Sequence, residues 1–160
     1  MAFLAETTDN DAELIAYLHR LAGYILTGST REQSFTFIYG TGGNGKSVFI
    51  DTLLHVLGDY GRTAPMSVFM AKGRNEHPTE LAGLQGARLV AANETNTNGA
   101  WDEARLKILS GGDRIAARFM RGDYYEYTPN FKLVVVGNVK PTFSSVDAAT
   151  RRRLHLVSFE

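Results

Sequence analysis

The residues best placed to do chemistry are the octet Gly40-Thr41-Gly42-Gly43-Asn44-Gly45-Lys46-Ser47, which satisfies G-x-x-x-x-G-K-[ST]. It follows an apolar, β-branched stretch and opens an amphipathic one, which is the context that gives the pattern meaning. Glycines let the backbone curl so that successive N–H groups point inward and make a nest for an anion. The helix that follows adds the positive end of its dipole. In such a loop Lys46 reaches the β- and γ-phosphates of a nucleoside triphosphate and Ser47 ligates Mg²⁺. Gly40, Gly42, Gly43, Asn44, Gly45, Lys46, Ser47 and Val48 are therefore the expected ATP-binding residues. The competing reading is a Gly-rich turn that happens to contain Lys-Ser.

A phosphate loop needs an acid on a neighbouring strand. Arg88-Leu89-Val90-Ala91-Ala92-Asn93-Glu94 offers an apolar strand with a carboxylate at its end. Glu94 would polarise the attacking water or hold Mg²⁺ through water. Two acids often stand at this point; here Asn93 replaces the first. A second strand, Leu133 to Val136, ends at Gly137-Asn138. Asn138 either hydrogen-bonds the γ-phosphate or lytic water, or is an ordinary turn residue.

Two basic groups remain. Arg151-Arg152-Arg153 closes a short helix. Arginine there suits a finger that neutralises charge on a neighbour's transferring phosphoryl group, and also suits a helix C-terminus on dipole grounds alone. Between positions 105 and 121 stand Arg105, Lys107, Arg114, Arg118 and Arg121 against a single acid, Asp113, with Tyr124, Tyr125 and Tyr127 just beyond. That stripe fits contact with a single-stranded phosphate backbone or a solvated face with core tyrosines.

The elements that must position these groups follow from periodicity and punctuation. Helices are expected over Asp9 to Leu26, Lys46 to Leu57, Thr79 to Leu84, Trp101 to Leu109 (with Gly111 just past its end) and Asp147 to Arg152. Strands are expected over Phe35 to Tyr39, Arg88 to Ala92, Leu133 to Val136 and Leu154 to Phe159. Ile115 to Phe119 and Tyr124 to Thr128 flank Arg121-Gly122-Asp123 as a hairpin. Asp59 to His77 reads mostly as loop with one short helix, and Asn93 to Gly99 as loop. Strands alternating with helices predict an α/β domain with a mainly parallel sheet.

Composition narrows the class. With 17 basic and 17 acidic side chains among 160 residues, a globally basic nucleic-acid binder is not indicated, so any DNA contact must be local. The lack of cysteine removes disulfides and cysteine-based zinc sites. Neither a membrane-spanning run nor a signal-peptide pattern is present, which predicts a cytosolic protein with no membrane partner.

In this order, the pieces resemble the superfamily 3 helicase domain of phage and plasmid primases and of poxvirus-type primase–helicases. The resemblance covers nearly the whole chain. It rests on Leu21-Ala22-Gly23-Tyr24-Ile25-Leu26-Thr27-Gly28, the phosphate loop with Asn44 inside it, Leu57-Gly58-Asp59-Tyr60, and Leu81 to Arg88. Lys107 through Ser110-Gly111-Gly112-Asp113 to Arg118, then Asn138 with Pro141, and Asp147 to Arg153 before Phe159 complete it.

The resemblance implies a P-loop NTPase of AAA+-like fold with a β-hairpin insertion. A helical lead-in over 1–34 would precede an ATPase core over 35–160. It implies a homo-oligomeric ring, usually a hexamer, with ATP and Mg²⁺ between subunits, moving on single-stranded or forked DNA. Asn138 becomes a sensor, Arg152 or Arg153 a finger, and the hairpin around Arg121, with Lys107 and Arg118, a DNA-contacting element. It further implies a primase domain elsewhere in a larger protein, phage or prophage origin and a bacterial cytoplasm. The sequence departs from the family's pattern in Asn93, where a small residue is usual, and in the acidic Asp123 at the hairpin tip. The end at Glu160, soon after the last strand, suggests a fragment. A rival class is a nucleotide-dependent DNA-binding or oligomerisation module without unwinding; a small-molecule kinase leaves the arginines unexplained.

Overall fold

The computed structural model describes residues 2–71, 78–94, 100–143 and 147–160. Its centre is a five-stranded sheet of β1 (Phe35–Tyr39), β2 (Gly61–Thr63), β3 (Leu89–Asn93), β6 (Lys132–Val136) and β7 (Leu154–Ser158). The strand order is β2-β3-β6-β1-β7, and every pairing is parallel. β4 (Ile115–Ala117) and β5 (Tyr125–Tyr127) form a separate antiparallel hairpin. The helices are α1 (Ala2–Thr7), α2 (Ala12–Thr27), α3 (Lys46–Leu57), α4 (Pro78–Ala82), α5 (Glu103–Gly111) and α6 (Ala148–Arg153).

Alternation along each strand sorts the apolar side chains to two faces, as a period of two requires. Phe35, Phe37, Val90, Ala92, Leu133 and Val135 join one core with Leu106 and Leu109 of α5 and with Ile115 and Tyr127 of the hairpin. Ile38, Leu89, Ala91, Val134, Val136 and Val157 join the other with Leu18, Leu21 and Ile25 of α2 and with Phe49, Ile50 and Leu57 of α3. Both faces are covered, which is why the central strands read as unbroken apolar runs. β6, buried along its whole length, opens with Lys132. The Lys132 ammonium donates to the Ser29 carbonyl and lies 3.9 Å from the centre of the Tyr24 ring, so its charge is not left alone.

Several elements differ from expectation. The first long helix starts at Ala12 because Asp9 and Asn10 are left-handed and Asp11 takes the cap, accepting from the Glu13 and Leu14 amides. Before it lies α1, too short to show a helical period. The stretch after Asp59 contributes the edge strand β2, whose three residues are too few to signal themselves. Gly111 belongs to α5, and Gly112 (φ 77°) supplies the left-handed cap. The acid-bearing β3 is not beside β1: β6 stands between them. In a parallel sheet the C-terminal ends of all strands share one edge, so the acid still faces the loop from one strand further away. Expectations for residues 72–77 and 95–99 lie outside the described residues.

Candidate functional site

The loops after β1, β3 and β6 meet at that edge around a cavity of about 340 Å³. Gly42 to Val48 form one wall, Asn93 and Glu94 a second, and Val136, Gly137 and Asn138 a third. Gly43 (φ 84°) and Gly45 (φ 86°) take the left-handed turns that curl the loop. Gly45 is the N-cap of α3 and offers no side-chain acceptor; the first backbone hydrogen bond at this end runs from the Phe49 amide to the Gly45 carbonyl. The amides of Lys46, Ser47 and Val48 thus belong to the unsatisfied first turn of a helix, at the wall of the cavity, where an anion is favoured.

Lys46 is buried, and its ammonium donates to the carbonyls of Gly40 (2.8 Å) and Thr41 (2.7 Å) and to Asn44 Oδ1 (2.7 Å). Burial pulls its pKa below the ordinary value. All three acceptors belong to the loop itself, so a phosphate oxygen can replace them without any other element moving. Asn44 in turn donates through Nδ2 to the Phe159 carbonyl at 2.6 Å, tying the loop to the residue after β7. That is a structural reason for Asn at a position the bare motif leaves open.

Glu94 comes to the cavity from the end of β3, its amide bonded to the Val136 carbonyl at 2.7 Å. Its Oε2 is buried without a partner, and desolvation raises its pKa above the ordinary 4.5. Asn93 is exposed at the same rim, and Asn138 is exposed opposite. A cradle of donors facing an unpartnered carboxylate can bind a phosphate chain and accept a proton from water beside it. The Ser47 hydroxyl and Glu94 are also suitable oxygen ligands for a hard cation. No cluster of three or more protein metal ligands occurs among the described residues, so a Mg²⁺ here would draw its remaining ligands from phosphate and water.

The other candidates lie apart from this cavity. Leu154 pairs with Phe35, the first residue of β1, whereas the loop follows Tyr39, its last. Arg151 to Arg153 therefore sit at the opposite end of the strands from their own phosphate loop. Arg152 Nη2 (3.2 Å) and Arg153 Nη2 (3.0 Å) both donate to Gln33 Oε1, a residue that sequence reasoning passed over. Gln33 is itself left-handed (φ 50°); a lone polar residue before a strand gives no sequence signal of such a role. Arg118 and Arg121 are exposed together on the hairpin, Arg118 packing 4.7 Å from the Tyr124 ring centre. Lys107 is elsewhere, on α5, and its ammonium pairs with Asp147 at 2.6 Å. Asp147 caps α6 through the Thr150 amide, so Lys107 joins two helices.

Fold and cavity together define a helicase-like α/β domain: a parallel sheet between helices, a phosphate-type loop after β1, an acid after β3 and a polar residue after β6. The chain belongs to the family described as "Family of unknown function (DUF5906)", whose pattern matches residues 38–153. It is 30% identical over 151 residues to "Putative helicase L207/L206" of Acanthamoeba polyphaga mimivirus, covering 93% of this chain and 16% of that protein. It is 28% identical over 158 residues to "Putative helicase 121R" of Invertebrate iridescent virus 3, covering 94% and 17%. The chain thus spans about a sixth of the length of these viral relatives. Among solved structures, the NrS-1 C-terminal region (305–718) superposes with a TM-score of 0.75 at 16% identity, covering 99% of this chain and 37% of that one. The JCV helicase does so with a TM-score of 0.59 at 16% identity, covering 90% and 40%. These likenesses carry the fold.

Proposed function

We propose that this chain is the ATP-hydrolysing core of a superfamily 3 type DNA helicase within a phage or viral replication protein, acting as a ring on single-stranded or forked DNA. One observation carries the reading: the phosphate-loop amides, Lys46, Glu94 and Asn138 come from separate strands yet bound a single cavity.

The loop amides and Lys46 hold the triphosphate; Ser47, with Glu94 through a water, would hold Mg²⁺, which would supply charge neutralisation on the phosphates. Water attacks the γ-phosphorus, its proton passes to Glu94, and the bond from phosphorus to the β-phosphate oxygen breaks. Asn138 positions the γ-phosphate or the water. Arg152 and Arg153, turned away from their own loop, complete the site of an adjoining subunit. The hairpin carrying Arg118 and Arg121 contacts the strand, its exposed Phe119, Met120 and Tyr124 offering faces for bases. A primase domain would lie elsewhere in the full protein.

The test is strand displacement from a forked duplex by the full-length protein with and without ATP. Displacement that requires ATP supports the helicase. ATP consumption with no displacement favours the second reading, a nucleotide-dependent DNA-binding or oligomerisation module, for which Asn93 in place of a second acid is the motivating observation.

A further inference from the structure

The Glu94 carboxylate is held in a particular place, and what holds it is not a hydrogen bond. Its Oε2 has no partner. Its surroundings are steric. A Cβ built on Gly137 would lie 2.5 Å from Glu94 Oε2, 2.7 Å from Phe37 Cζ and 3.1 Å from Phe37 Cε1. Gly137 has no left-handed backbone requirement, since its φ is not positive. The space its side chain would fill is the reason a glycine fits there.

The Phe37 side of that space does not yield easily. Phe37 is fully buried and meets the Trp101 ring edge-on at 5.9 Å, and Trp101 lies 5.5 Å from Phe143. The backbones are also fixed: the Gly137 amide donates to the Ile38 carbonyl at 2.9 Å, and the Glu94 amide to the Val136 carbonyl at 2.7 Å. A side chain at 137 would therefore displace the one movable group, the carboxylate.

We propose that Gly137 is a positioning residue, its missing side chain being the space in which the Glu94 carboxylate stands beside the phosphate loop. This rests on Glu94 being the acid that activates water.

The experiment is a double-mutant cycle on the full-length protein, reading ATP turnover, affinity for a fluorescent ATP analogue, and Tm. Gly137→Ala is expected to lower kcat by about tenfold or more while nucleotide affinity changes by less than about threefold. In the presence of Glu94→Gln it should add no further loss, because residues acting through one group are not additive. Wild-type turnover in Gly137→Ala would overturn the proposal, as would a further tenfold loss in Gly137→Ala/Glu94→Gln. If Gly137→Ala fails to fold, recovery of folding in Gly137→Ala/Glu94→Ala supports the clearance, and failure of both places the conflict at Phe37 and overturns it. Wild-type turnover in Glu94→Gln alone would instead remove Glu94 from the chemistry, leaving the steric claim to the Tm cycle.

Discussion

At the scale of single residues, the proposed mechanism gives Lys46 the binding of phosphate and Glu94 the proton, so their substitutions should separate binding from turnover. Lys46 makes charge-assisted contacts, each worth about 1.5–3 kcal/mol. A general base in the place proposed for Glu94 is worth about 10²–10⁴ in rate. Glu94→Gln should therefore keep nucleotide affinity and lose about a hundredfold or more in kcat, read by steady-state turnover beside an equilibrium titration. The pH profile tests the same carboxylate. Its pKa is raised from 4.5 by desolvation, so a base that must be ionised is lost earlier on acidification. The acid limb of kcat should have its midpoint above pH 4.5. A midpoint at or below that value would mean the carboxylate is solvated.

Which residues line the cavity is largely legible in the sequence. A loop motif names its own ligand atoms, because glycine, lysine and serine at fixed offsets leave few other uses. Glu94 and Asn138 were legible as polar residues ending apolar strands. Gln33 and Gly137 were not: their roles depend on which strand lies beside which, and a single chain does not print strand order. Lys107 shows the converse. Its charge fitted a basic stripe in sequence, and only the approach of α6 reveals its pairing with Asp147.

At the scale of elements, α2 is anchored by a cap at one end and a polar contact along its length. Asp11→Ala should cost about 1 kcal/mol by removing the acceptor for two amides and lower Tm without changing turnover per folded molecule. Tyr17 joins α2 to the sheet: its hydroxyl lies 3.0 Å from Thr36 Oγ1 and 2.8 Å from His155 Nδ1. Desolvation lowers the His155 pKa from 6.5, against an opposing pull from Glu32. The folded state thus binds fewer protons here than the unfolded state, and stability is lost as pH falls from about 6.5 toward the folded pKa. Glu94 acts in the opposite sense, its raised pKa favouring the folded state at lower pH. Tm should fall between pH 6.5 and 5.5, and His155→Asn should flatten that fall. An unchanged slope would assign it to other groups.

Long elements were readable and short ones were not, for a physical reason. α2 and α3 show their buried stripes over several turns. β2, with three residues, and α1, with six, are stabilised by what they pack against and carry no period of their own. The hairpin was expected, but its paired strands are only Ile115–Ala117 and Tyr125–Tyr127, because the residues around Arg121 leave the ladder to form the exposed tip.

At the scale of the whole molecule, the arginines before β7 and the phosphate loop after β1 stand at opposite ends of the sheet, so these arginines do not reach the loop of their own chain. If adjoining subunits share sites, a Lys46→Ala protein and an Arg152→Ala/Arg153→Ala protein, each inactive alone, should recover turnover when mixed. The interface between an intact loop and an intact arginine pair would then be complete. No recovery, with mixed assembly shown by mass, would remove the shared site. No helix among the described residues is long and apolar enough to cross a membrane.

The loop from Gly40 to Ser47 is proposed as a cradle for a triphosphate, and calorimetric titration of Mg–ATP measures that binding. Wild type should bind, and Lys46→Ala should bind at least about tenfold more weakly while remaining folded in the absence of nucleotide. Equal affinity in the two proteins would contradict the account.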